Sequence, residues 1–141
     1  MNAASLSPEA RRWLRFAHED LAAAEALLDR VDVAPRQACW LAQQVAEKAL
    51  KALKAVLVFL ELDFPWTHNL DVLRNLIPEG WKVKEQHPEL GELSGWAVQA
   101  RYPGDWPDAD QTDARSAVEQ ARAVWASVSA DFAQRGVTVE E

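Results

Sequence analysis

The stretch PRQACWLAQQVAEKALKALKAVLVFLEL, residues 35–62, constrains this chain more than any other. It holds no glycine, and its one proline stands at its first position. Placed at ~100° per residue, its side chains separate into two arcs. Leu41, Val45, Ala49, Leu53, Val56, Leu57 and Leu60 share one arc. Gln37, Gln43, Gln44, Glu47, Lys48, Lys51 and Lys54 share the other. This is an amphipathic helix from about Pro35 to about Leu62. Trp40 and Val58 fall within the polar arc, so another segment or a second chain is expected to cover part of it.

The other segments are helical too. Ser7 can cap a first helix, with Pro8 at its first position and Glu9 at the positive end of its dipole. Trp13, Ala17, Leu21, Ala24 and Leu28 follow helical spacing, and the helix should end near Arg30. A short helix follows Thr67, whose hydroxyl can cap it, and stops at Pro78-Glu79-Gly80. Another begins near Pro88 and closes at Arg101. After the loop GDWPDAD, Asp110 or Thr112 can cap a last helix carrying Val118, Ala121, Trp125, Val128 and Phe132. Gly136 suits its C-terminal cap. No segment shows strand alternation flanked by hairpin turns. The expectation is an all-α bundle with four main helices and one short one.

Composition narrows the setting. With 141 residues and 49% hydrophobic content, one domain with a real core is expected. Cys39 is the lone cysteine, so no intrachain disulfide can form, which fits a reducing compartment. Residues 1–12 lack an apolar signal-peptide core, and Ala55 to Leu60, the longest apolar run, is too short to span a bilayer. A cytoplasmic protein without membrane association is expected. The net charge of −7 opposes indiscriminate nucleic-acid binding. The charge is uneven, however. Arg36 to Lys54 holds four basic residues and one acid, whereas Gly104 to Glu141 holds eight acids and three arginines. Any anion-binding surface belongs on the first of these segments.

Several chemistries are excluded. There is no glycine-rich phosphate loop and no GxSxG elbow. His18, His68 and His87 are too dispersed for a metal site, so no metal or cofactor is expected. Cys39 lies on the apolar side of its helix and reads as a core thiol. Trp13 and Trp125 fit core stripes; Trp66, Trp81, Trp96 and Trp106 flank loops, where an aromatic lid or an interface is one reading and covering the core is the one expected for most of them.

Three features carry chemistry. Gln43, Glu47, Lys51 and Lys54 form a ladder on one helix face, readable as a solvated face or as a phosphate-binding groove. His68, at the start of the short helix, can shape the turn or donate to an anion. Arg101-Tyr102 precedes Pro103. A cation suits the last helical turn, and the proline pushes Tyr102 out of helical geometry. Yet Arg101 also offers a planar fork for phosphate, and Tyr102 a ring that can stack on a base. The physics permits both readings.

Taken in order, FAHEDLAAAEALL, QACWLAQQVAEKALKAL, THNLDVL and then ARYP before a final amphipathic helix resemble the HEPN domain family, over about residues 8–133. The resemblance implies a five-helix up-and-down bundle, with residues 8–135 as one domain and 1–7 and 136–141 as tails. It implies a homodimer that binds nucleotide or RNA. Many such prokaryotic proteins are encoded beside a small nucleotidyltransferase and pair with it as toxin and antitoxin. Carried over by position, the family's motif residues fall on Gln44, Glu47, Lys48, Lys51, His68, Arg101 and Tyr102. Lys51, His68, Arg101 and Tyr102 are expected to face one polar cleft. One departure matters. RNA-cleaving branches carry a late arginine followed, after four to six residues, by a histidine. No histidine follows Arg101 here. Arg12 and His18 have a permitted separation but lie ~240° apart around the first helix. Binding without hydrolysis is the leading expectation. An RNase toxin using His68 and Arg101 atypically, and a non-catalytic homodimeric assembly module, are the rivals.

Overall fold

The computed structural model describes residues 8–57 and 67–134, apart from the side chains of Lys54, Val56 and Leu57. Expectations for Ser7, Val58, Leu60, Trp66, Gly136, the far end of the second helix, both tails and those three side chains lie outside the described residues. The described chain forms six helices: α1 (Pro8–Leu27), α2 (Pro35–Leu57), α3 (Leu70–Asn75), α4 (Lys82–Gln86), α5 (Gly91–Gln99) and α6 (Gln111–Gln134). The all-α reading holds. Four of these helices have nine residues or more, and the short α4 joins the elements that periodicity indicates.

The core follows the expected stripes. Ala17, Leu21 and Ala24 of α1 are buried, as are Val118, Ala121, Val128 and Phe132 of α6. Trp13, Leu28 and Trp125 pack half-buried against them. Ala10, Ala17 and Ala24, at a seven-residue spacing, have no exposed surface. With no bulky side chain at those positions, α1 can approach the alanine-rich α2 closely. The centre of the bundle is α2, which packs against α1, α3, α5 and α6. Ala38, Cys39, Ala42, Val45, Ala46, Ala49, Leu50, Ala52 and Leu53 are therefore all buried, well beyond the single arc that amphipathicity gives.

Several boundaries differ from expectation. Asn69, not Thr67, caps α3: its side chain accepts from the N–H groups of Asp71 and Val72. Thr67 Oγ1 instead accepts from the Asn69 N–H, tightening the turn before the helix. The last turn of α1 tightens after Leu27, so the helix closes before Arg30. Further along, α5 starts at Gly91, three residues after Pro88, and ends at Gln99. Beyond it, the Arg101 and Tyr102 N–H groups both donate to the Val98 carbonyl, a tight turn that Pro103 ends. At the start of α6 the expected Asp110 cap is present. Asp110 accepts from the Asp113 N–H and Asp113 from the Asp110 N–H, a reciprocal capping box.

Candidate functional site

The polar arc of α2 leads to two places. The first is internal. Gln43 is fully buried and Glu47 is 4% exposed, although both belong to the arc that amphipathicity assigns to solvent. The reason is tertiary. Residues 67–69, ahead of α3, and Ser94 of α5 lie over this stripe. The His68 carbonyl accepts from Gln43 Nε2 at 3.3 Å and from Ser94 Oγ at 3.3 Å. Glu47 is the hub. Its Oε1 accepts from Gln43 Nε2 at 3.0 Å and lies 2.9 Å from His68 Nδ1, while its Oε2 accepts from Lys51 Nζ at 2.7 Å. An ionised carboxylate only accepts, so His68 Nδ1 carries the proton there. Burial pushes the Glu47 carboxyl up, but the hydrogen bonds from Lys51, Gln43 and His68 outweigh it and leave the group below the usual range. Lys51 Nζ also lies 5.3 Å from the Trp13 ring centroid. Gln44 Nε2 donates to Gln43 Oε1 at 2.8 Å, which adds it to the network. Lys48 points elsewhere, pairing with Asp20 of α1.

The second place is open. Arg101 and Tyr102 leave α5 at the rim of a cavity of about 400 Å³, lined also by Arg36, Gln99, Ala100, Pro103, Gly104, Trp106 and Asp108. That volume falls within the ~300–1,000 Å³ range of small-molecule sites. Arg36, in the first turn of α2, donates from Nη1 to the Ala100 carbonyl at 2.9 Å. This contact ties the start of α2 to the end of α5. The Arg101 guanidinium lies 5.6 Å from the Trp40 ring centroid and 5.2 Å from that of Tyr102. Trp40, apolar within a polar arc, thus has a physical account: it is the platform under Arg101. Trp106 forms a fixed wall. Its Nε1 donates to the Gln99 carbonyl at 3.1 Å, and a Cβ added to Gly104 would collide with its ring. Only glycine lets the loop lie against the indole. Among the described residues neither Arg36 nor Arg101 is paired with a carboxylate.

The described contacts thus gather the motif residues into two groups rather than one. Glu47, Lys51 and His68 meet at the buried hub, with Gln44 beside them. Arg101 and Tyr102 meet at the cavity. Both groups lie along one stripe of α2. Trp40 and Lys51 differ by eleven positions, hence by ~20° around the axis and ~16 Å along it. Arg36 and Asp108 carry no site signal in the sequence, whereas Trp106 stands out there as a loop-flanking tryptophan that can form an aromatic lid. Arg36 is visible there only as one of the basic residues of the 36–54 segment, and Asp108 as part of an acidic loop.

The remaining reactive side chains are structural. Cys39 is fully buried, and its thiol is pushed up to about 12, first by burial and then by Asp113, Asp110 and Glu92. His87 is buried with Nε2 2.9 Å from Ser127 Oγ, and Ser127 donates to Gln86 Oε1. Asp131, fully buried, accepts from the N–H groups of Lys82 and Val83. His18 packs on Trp125, with ring centroids 5.0 Å apart. Trp81 and Trp96 are buried, which is the core-covering role expected of them. No group of histidine, cysteine and acidic side chains among the described residues can hold a metal. No described helix is long and apolar enough to cross a membrane.

Comparison with known proteins defines the class. The HEPN domain family matches residues 10–131, and the chain belongs to that family. Two solved structures share the architecture. TT1696 from Thermus thermophilus is 27% identical, with a TM-score of 0.69 over 89% of this chain and 99% of its own. ST0689, an archaeal HEPN homologue, is 21% identical, with a TM-score of 0.62 over the same shares, and supports the fold alone. No curated protein matches the chain.

Proposed function

We propose that this HEPN protein binds the phosphate of a nucleotide or of RNA at the Arg36–Arg101–Tyr102 cavity, without hydrolysing it. In this reading it works as a homodimer with a small nucleotidyltransferase in a toxin–antitoxin-type pair. One observation carries the binding half. A chain of net charge −7 keeps the guanidinium groups of Arg36 and Arg101 on one hollow with no carboxylate partner among the described residues. Each can offer a fork of donors to phosphate oxygens. The Tyr102 ring, half-exposed at the rim, suits stacking on a base. In the Glu47 network, by contrast, Lys51 is already bound by a buried carboxylate. The network's place in this reading is to fix the turn at His68 and to hold α5 against α2.

Calorimetric titration of AMP and of short single-stranded RNA tests the proposal. Arg101→Ala and Arg36→Ala should each weaken binding, and RNA affinity should fall with salt at a log–log slope of about −1.4 for two phosphate contacts. Equal and negligible binding by wild type and variants would remove it. An RNase centred on His68 and Arg101 has less support, since His68 Nδ1 is held by Glu47 and Arg101 lies on Trp40. The partner half rests on family resemblance. A nucleotidyltransferase reading frame beside this one, and co-purification of the two proteins, would support it.

A further inference from the structure

We infer that the cavity selects guanine, with Asp108 as the residue that reads the base; the inference rests on the phosphate-binding reading above. A carboxylate is an odd component for a hollow that attracts anions. Asp108 lines the same cavity as Arg36 and Arg101, yet is within ion-pair distance of neither. It makes no side-chain hydrogen bond among the described residues either. The cavity therefore holds opposite charges that do not pair with each other. A ligand that satisfies both must be anionic at one end and a hydrogen-bond donor at the other.

A second hollow fixes which end goes where. It shares Gln99 and Asp108 with the first, and is lined otherwise by Gly91, Glu92, Trp96, Pro107 and Asp113. Its charged groups are all acidic. Phosphate is repelled from that side and drawn to the arginines. The base then lies toward Asp108, between walls that include Tyr102 and the pinned Trp106. Aromatic walls accept any base. Asp108 does not. An ionised carboxylate has two acceptor oxygens and no donor. Among the four bases, guanine alone presents two adjacent N–H donors on one edge, N1–H and N2–H. Adenine and cytosine set an acceptor beside their amino group, and uracil flanks its single N–H with two carbonyls. Those acceptors repel a carboxylate.

GMP, IMP and AMP are titrated into wild type, Asp108→Asn and Arg101→Ala, with circular dichroism as the folding check. IMP keeps N1–H but lacks the 2-amino group, so it tests the contact without a mutation. Wild type should bind GMP roughly tenfold more tightly than IMP or AMP, the scale of one charge-assisted hydrogen bond. Asp108→Asn should abolish that preference while AMP still binds in an Arg101-dependent manner. A free nucleotide and a guanine in single-stranded RNA present the same edge. The tetranucleotides UUGU and UUAU add the second source, with UUGU expected to be the tighter. Equal binding of GMP and AMP by wild type, or an unchanged GMP preference in Asp108→Asn, overturns the inference. Failure of Arg101→Ala to weaken any of these ligands overturns instead the phosphate-binding reading on which it stands.

Discussion

The Glu47 hub and the Arg36–Arg101 cavity lie along one stripe of α2 and both combine basic and acidic side chains, but they treat charge in opposite ways. At the hub a 4%-exposed carboxylate is saturated by an amide, an ammonium and an imidazole. At the cavity two guanidinium groups and a carboxylate share a hollow and stay unpaired among the described residues. Burial accounts for the difference. An ion removed from water needs its partners supplied by the protein, whereas an ion at an open rim keeps its hydration and can exchange it for a ligand. Charge that serves the fold is neutralised inside; charge that can serve a ligand is left wet.

The largest expected effect breaks the hub. Glu47→Ala leaves Lys51 without its carboxylate and Gln43 short of an acceptor, and should cost about 3–5 kcal/mol of unfolding free energy. Urea denaturation reads this directly. A loss below ~1 kcal/mol would mean that the network contributes little to the fold. Arg101→Ala should do the reverse. Nucleotide affinity drops roughly tenfold, while stability changes by no more than ~1 kcal/mol, the scale of its contacts with Trp40 and Tyr102. Equal losses of stability in the two variants would erase the contrast.

A smaller effect sharpens it. Gly104→Ala drives a methyl group into the Trp106 ring and should displace that wall, reducing nucleotide affinity severalfold and shifting tryptophan fluorescence with the fold intact. The smallest effect concerns pH. Burial holds the His87 imidazole below its ordinary range; a hydrogen bond with the Ala123 backbone opposes this, and the charge of Arg74 adds to it. The unfolded chain takes up this proton near pH ~6.5 and the folded one only at lower pH. Stability is therefore held above about pH 6.5 and lost as pH falls toward the folded value. Glu47 acts in the same direction lower down, because its carboxyl is depressed on folding and its contribution is lost only as pH falls through that lowered value. His87→Gln should flatten the melting-temperature profile below about pH 6.5. An unchanged slope would assign the acid sensitivity to other groups.

The sequence shows the helices wherever they carry their own periodic stripe, as α1 and α6 do. It shows which residues of α2 share a face, but periodicity cannot say what lies over that face. It therefore assigns Gln43 and Glu47 to a polar exterior, and they are buried because a turn well over a dozen residues later covers them. Arg101 and Tyr102 stand out because a proline cuts their helix short. Arg36 does not, because its role depends on a carbonyl 64 residues away. The five residues of α4 have no stripe of their own, and an isolated helix of that length does not persist in water.

The grip of Asp131 on the first N–H groups of α4 reaches back across 48 and 49 residues. On the ribosome, residues 82–86 emerge well before that carboxylate exists. During synthesis α4 must wait, its leading amides bound to water, until the last turns of α6 have docked. A chain cut short at residue 130 would carry every residue of α4 and still lack the group that closes it.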